Sequence, residues 1–257
     1  MIFGLFFIIS LGWTVILTLT GTTTSPFNYG YNLLIGLLFG AGGVIGLLGT
    51  RSLASSSRLG KSLFFLSLGN LFQMFGFVTW WYLNTFSHID IPYPSIADIL
   101  FVLVYPCMGY GLWLLVKIFN EGITKRNLLE SVAIGLIAAV IIIGFVNRPD
   151  VSKSLDFYTN LFNILYPLGS VLLLSIALVS YRIGEGKIRP VLELYVIALT
   201  LYTAADSVFS YLESTNNYWN GNVADMLFAW AGIIMSLGIL SFIETFAPKQ
   251  ELVPGKK

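Results

Sequence analysis

Three aspartates stand in or beside apolar stretches where a charge is expensive. Asp206 falls inside one, in Tyr202-Thr203-Ala204-Ala205-Asp206, about 10 Å along the helix from its nearer end at ~1.5 Å per residue. An aspartate stem is too short to reach water from there, so Asp206 should face the bundle interior and hold a polar partner. Tyr202 lies one turn before it and Ser210 one turn after, on the same face. A helix–helix hydrogen bond fits this position, and so does a binding or proton-handling role. Asp98 and Asp225 close the segments Ser95-Ile96-Ala97-Asp98 and Asn222-Val223-Ala224-Asp225. Both read as capping boxes, in which the acid satisfies free amides and favours the helix dipole. Conversion of either to Asn should then cost about 1 kcal/mol or less. The alternative for each is a direct ligand contact.

Four amides could partner Asp206: Asn70, Gln73, Asn160 and Asn163. Amides of this kind usually hold membrane helices together. Trp80, Trp81, Tyr82, Tyr93, Tyr211, Tyr218 and Trp219 gather toward one side of the chain, and so do Asp90, Asp98, Asp206, Glu213 and Asp225. An interfacial aromatic belt explains such rings. Together with the acids they would also form a vestibule suited to a small cationic or amphiphilic ligand. Tyr105-Pro106 and Tyr166-Pro167 predict helix kinks, because proline removes a backbone donor and crowds the preceding turn. The ligand-binding candidates are therefore Asp206, Tyr202, Asp98, Asp225, Trp80, Tyr105, Asn70, Gln73 and Asn163.

Other chemistries are poorly supplied. Cys107 is the single cysteine and His88 the single histidine, so a cysteine cluster and a two-histidine zinc motif are excluded. Cys107 follows a proline deep in an apolar stretch and reads as inert core. No phosphate-binding glycine loop or nucleophile–base pair is visible, and no lysine lies where a retinal Schiff base would need one. The glycines at 36, 40, 42, 43 and 46 read as close helix packing. The expectation is a non-enzymatic protein with no cofactor, no metal and no nucleic-acid partner.

These residues must be positioned by membrane helices. Of the 257 residues only 11% are charged and 56% are hydrophobic, against about 25% charged in soluble domains. So few charges cannot cover a soluble surface, and the lipid bilayer must. Eight stretches have the roughly 20 apolar residues needed to span a bilayer: 2–20, 29–50, 61–84, 95–118, 127–147, 157–181, 190–213 and 222–246. The first lacks a signal peptide's basic start and cleavage site and reads as a retained span. The fold class expected is all-α, one polytopic domain over 1–247 with a cytoplasmic tail at 248–257. Twelve of the fourteen basic residues fall in even-numbered loops or the tail, with only Arg148 and Lys153 outside that pattern. By the positive-inside rule both termini are then cytoplasmic, in a cell membrane.

A weak duplication is also visible, as parallel repeats at 1–126 and 127–247. Asn32 and Arg51 match Asn163 and Arg182 at an offset of 131, and Tyr82-Leu83 matches Tyr211-Leu212 at 129. Ala97-Asp98, Leu100-Phe101, Met108 and Gly111 match Ala224-Asp225, Leu227-Phe228, Met235 and Gly238 at 127.

The run Ile91-Pro92-Tyr93-Pro94-Ser95-Ile96-Ala97-Asp98-Ile99-Leu100-Phe101 with Tyr105-Pro106 resembles the multi-span sensor modules that precede bacterial and archaeal diguanylate-cyclase and histidine-kinase domains. The series Tyr211, Tyr218, Gly221, Asp225 is similar to their last hairpin. The resemblance covers about 29–118 and 157–246 and implies a sensory or ligand-binding bundle without catalytic residues. About eleven residues follow the eighth stretch, with no output domain, so signalling would need a separate cytoplasmic partner. A small-solute or proton transporter using Asp206 is the rival expectation.

Overall fold

A computed structural model describes residues 2–53, 56–87, 91–118, 124–146 and 156–247. His88, Asp90, Arg148, Lys153 and the tail at 248–257 lie outside the described residues. Among those described the chain is helical, without a strand. Eight α-helices follow in order: α1 (Ile2–Thr20), α2 (Pro26–Thr50), α3 (Arg58–Phe86), α4 (Ile96–Ile118), α5 (Lys125–Val146), α6 (Phe157–Ile183), α7 (Arg189–Ser214) and α8 (Val223–Phe246). A 3-10 turn, Gly186–Ile188, leads into α7. Each of the eight apolar stretches is thus a helix.

Their starts follow elementary capping chemistry. The Ser25 hydroxyl accepts from the Asn28 amide and Pro26 opens α2. The Ser57 hydroxyl accepts from Gly60 at the head of α3. Asp156 accepts from the Tyr158 and Thr159 amides of α6 at 2.8 and 3.1 Å. The Thr159 hydroxyl, then those amides, hold the Asp156 carboxyl below the usual carboxylate range.

Six segments are long and apolar enough to cross a membrane: Pro26–Thr50, Arg58–Phe86, Ile96–Ile118, Phe157–Ile183, Gly186–Ser214 and Val223–Phe246. The apolar parts of the other two are shorter, Gly4–Thr20 and Leu128–Gly144, about 25 Å each at ~1.5 Å per residue. The six form a closed ring. α2 packs on α3, α3 on α4, α4 on α6, α6 on α7, α7 on α8, and α8 back on α2. α1 lies outside against α8, and α5 outside against α6. Their outer faces stay apolar and uncovered, as at Ile8, Leu19, Leu129 and Val140, the pattern lipid would cover.

Glycine makes the ring tight. A Cβ on Gly36 would meet the Met74 carbonyl at 3.2 Å, and one on Gly42 would meet the Ser236 backbone at 2.7 Å, so α2 is wedged between α3 and α8. Between α4 and α6 the close approach is at Gly169, where a Cβ would strike the Tyr105 ring at 2.7 Å. Both intrahelical prolines, Pro106 and Pro167, lie in helices that continue through them. Cys107 is partly exposed rather than core.

The two ends of the bundle differ in charge. All nine lysines and arginines among the described residues lie at the ends joined by the even-numbered loops. There Arg58 donates to the Lys117 carbonyl, and Glu130 of α5 pairs with Arg126 and with Arg182 of α6. The described aspartates, Asp98, Asp156, Asp206 and Asp225, lie toward the odd-loop end with Glu213, while Glu185, Glu193 and Glu244 join Glu130 at the basic end.

Candidate functional site

Toward the odd-loop end the ring encloses a cavity of about 40 Å³. Gln73, Phe77 and Trp80 of α3 line it at spacings of four and three, so one helix face supplies all three. Tyr202, Asp206 and Phe209 do the same from α7. Asp98 and Phe101 enter from the first turns of α4, Asp225 and Phe228 from those of α8, and Tyr166 from α6. Tyr93 and Tyr218 reach in from the loops before α4 and α8. Among the described residues, no lysine or arginine is on the wall.

Each aspartate is met by a tyrosine hydroxyl from another element. Tyr166 donates to Asp98 Oδ1. Tyr105 donates to Asp206 Oδ2 at 3.0 Å, and the Tyr166 carbonyl competes for the same hydrogen at 3.1 Å. Tyr218 donates to Asp225 Oδ1 at 3.0 Å. Tyr202 donates instead to Gln73 Oε1 (2.9 Å), and Tyr93 to Asn163 Oδ1 (2.9 Å). Burial, then the negative charge of Asp98 and of Asp225 respectively, holds the Tyr93 and Tyr218 hydroxyls well above the usual tyrosine range. Both therefore remain donors at neutral pH. Phe209 ties the rings together, edge-on to Tyr93, Tyr166 and Tyr218 with centroids 5.6, 5.9 and 4.9 Å away, in the geometry aromatic quadrupoles favour.

The capping reading of Asp98 holds and is incomplete. Its Oδ2 accepts from the Ser95 amide at 2.5 Å while the Ser95 hydroxyl accepts from Ala97. Its other oxygen is turned to Tyr166 on the cavity wall. At α8 the Asn222 side chain caps Ala224, but Asp225 reaches back one residue further, to the Gly221 amide at 2.5 Å. That is possible because Gly221 is left-handed, with φ 93°.

Of the sequence candidates, Asp206, Tyr202, Asp98, Asp225, Trp80 and Gln73 line the cavity, while Tyr105 stands behind Asp206 and Asn163 behind Tyr93. Asp206 is 2% exposed, as its place in α7 demanded. Its partner is a tyrosine, however, not one of the four amides. Asn70 is fully buried with neither amide atom hydrogen-bonded, so it joins no two helices by a hydrogen bond. Ser210 is likewise buried with its hydroxyl unpaired. Tyr82 is 57% exposed, as an interfacial belt would have it, but Trp80, Tyr93 and Tyr218 turn inward.

Sequence reasoning passed over Phe77, Phe101, Phe209 and Phe228, and read Tyr166 only as part of a kink. Their signal was spacing relative to the candidates: Phe101 and Phe228 each stand three residues after an aspartate, on the same helix face. Among the described residues no group of three or more His, Cys, Asp and Glu is close enough to hold a metal ion. No family model, no curated protein and no solved structure matches the chain.

Proposed function

We propose that the protein is a non-enzymatic membrane bundle that binds a small cation in this cavity from the outer side. One observation carries the reading: three carboxylates and a set of aromatic faces line one cavity, and no described lysine or arginine is on its wall. A cation entering would find carboxylates already oriented by hydroxyl donors and ring faces that attract positive charge. The basic even-loop end supports a cytoplasmic placement of that end, with α1 and α5 as two further spans and the cavity facing outward. A sensory role, with a separate cytoplasmic partner reading the bundle, follows from the resemblance noted above.

The duplication gains support from the cavity. At the offset of 129, Gln73, Phe77 and Trp80 correspond to Tyr202, Asp206 and Phe209; at 127, Asp98 and Phe101 correspond to Asp225 and Phe228. The ring is consistent with this, since α4 meets α6 as α8 meets α2. The cavity would then sit on the axis between two parallel halves.

The test is thermal unfolding of the detergent-purified protein with tetramethylammonium and with neopentyl alcohol, a neutral compound of similar size and shape. Stabilisation by the cation alone, lost in Asp206→Leu, is expected. Equal effects of both compounds would overturn the reading. A second reading, transport of the cation or a proton, is favoured by Asn70, whose unpaired buried amide lies one turn beyond Gln73 toward the even-loop end. Flux across liposomes would decide for it.

A further inference from the structure

Two side chains separate the cavity from the odd-loop end. Trp80 and Tyr218 line the cavity on one side and, on the other, a cleft of about 290 Å³. Thr23, Thr24, Asn84 and Asn220 give that cleft a polar wall. Among the described residues no other lines both spaces.

Both side chains are fastened through one loop, residues 215–222 between α7 and α8. Trp80 donates its Nε1 hydrogen to Asn220 Oδ1 at 2.7 Å. Asn220 is fixed in turn by α2: the Asn32 amide donates to the same oxygen at 2.7 Å, and the Asn28 amide donates to the Asn220 carbonyl at 2.8 Å. Tyr218, two residues earlier, donates to Asp225. The loop folds back on itself through left-handed residues, Asn216 at φ 53° and Gly221 at φ 93°. It therefore supplies one half of the partition and holds the other half in place.

We propose that Trp80 and Tyr218 form a gate through which a small cation passes between the polar cleft and the cavity, with Asn220 as the latch. This rests on the cation-binding reading above and adds to it a route and a means of selection. Both gate side chains offer π faces, which attract cations and not anions. The gate also responds to what it admits. Tyr218 is held by an oxygen of Asp225, so a cation that settles on Asp225 competes for that oxygen and frees the phenol. Occupation of the cavity and release of the gate are thus linked through one carboxylate.

The experiment uses the full chain in membrane vesicles in a Cys107→Ser background, with a reporter cysteine beyond the gate at Phe101 or Phe228. Membrane-impermeant methanethiosulfonates bearing a trimethylammonium or a sulfonate group are applied from the odd-loop side. Tyr82→Cys, on the exposed surface, serves as the reference rate. With the gate intact, the ammonium reagent should modify the reporter about tenfold faster than the sulfonate, the scale of electrostatic focusing in a charged cleft. Trp80→Phe keeps a ring but loses the N–H, and Asn220→Ala removes the latch. Each should raise both rates about fivefold to tenfold, as the loss of one hydrogen bond implies, and leave the Tyr82→Cys rate unchanged. Unchanged reporter rates in both latch variants would overturn the gate, as would a reporter silent to both reagents throughout. Equal reactivity toward the two reagents, with the latch effect present, would overturn the cation reading and leave the gate standing.

Discussion

Tyr105 of α4 and Asp206 of α7 meet through one hydrogen bond of 3.0 Å, although 101 residues separate them. The bond is made across a ring in which neither helix packs mainly on the other, so it reports on the bundle as a whole. Gly169 of α6 lets the Tyr105 ring pass close enough to make it. The single hydroxyl hydrogen is shared between Asp206 and the Tyr166 carbonyl, so the contact is polar on both sides.

Tyr105→Phe should therefore destabilise the protein by about 1–2 kcal/mol, between the average for membrane hydrogen bonds and that for bonds to charged groups. Asp206→Asn should fold nearly normally, since an amide keeps the shape and one acceptor. Asp206→Leu separates structure from function. If the carboxyl only joins helices, leucine lowers the melting temperature and cation binding falls in proportion. If it serves the cavity, leucine folds and binding of tetramethylammonium vanishes. Parallel thermal unfolding and binding measurements on the three variants distinguish these outcomes.

The two capping aspartates carry more than caps. Each spends one oxygen on backbone amides or a serine and offers the other, or a share of the same one, to a tyrosine. An asparagine presents an NH2 group to one of those donors. Asp98→Asn and Asp225→Asn should thus cost about 1–3 kcal/mol, the range for an unsatisfied buried group, above the cap-only expectation of about 1 kcal/mol. Tyr166→Phe in the Asp98→Asn background should add less than it does alone. A loss of only the cap value in urea or thermal unfolding would show that the tyrosine contacts are idle.

What could be read in advance was what depends on one helix at a time. Asp206 had to point inward because its own stem is short and its own helix apolar. The eight helices followed from apolar length, and the charge asymmetry from counting. What could not be read was which helix faces which. The partner of Asp206 is a tyrosine on α4 because Gly169 of α6 lets the Tyr105 ring pass, a fact of tertiary packing. Trp80 and Tyr82 illustrate the same limit. Two residues apart on one helix, they face a cavity and the outside respectively, and belt composition alone does not separate them. Asn70 shows the reverse: a residue type expected to bond across helices is buried without a bond.

The arrangement of spans makes its own prediction. In a Cys107→Ser background, cysteines at Thr23, His88 or Asn217 should react with an impermeant thiol reagent applied to intact cells. Cysteines at Ser56, Thr124 or Gly186 should react only after the cells are opened. Thr23 and Asn217 lie at the end of the described aspartates, and the second set at the end that carries the described lysines and arginines. Labelling of Ser56→Cys in intact cells would refute the eight-span arrangement, because α3 to α8 would have to invert with it.

Asn70 decides between binding and transport. It shares a face of α3 with Gln73 and Phe77, which line the cavity, and lies one turn nearer the basic end. Its exposure is 0%, and neither Nδ2 nor Oδ1 has a hydrogen-bond partner in the protein. A buried amide left unpaired costs about 1–3 kcal/mol, so Asn70→Leu, similar in volume and apolar, should raise the melting temperature if the amide has no other use. Under the binding reading this is the whole effect, and tetramethylammonium still stabilises the variant. Under the transport reading the amide serves a passing ion or the water that accompanies it. Asn70→Leu would then be equally stable or more so, would still bind the cation at the outer aspartates, and would lose flux across liposomes. Stability, binding and flux measured on this one variant therefore give a different pattern for each reading. A variant that unfolds instead would show that Asn70 carries structural contacts that its unpaired amide conceals, and would count against both.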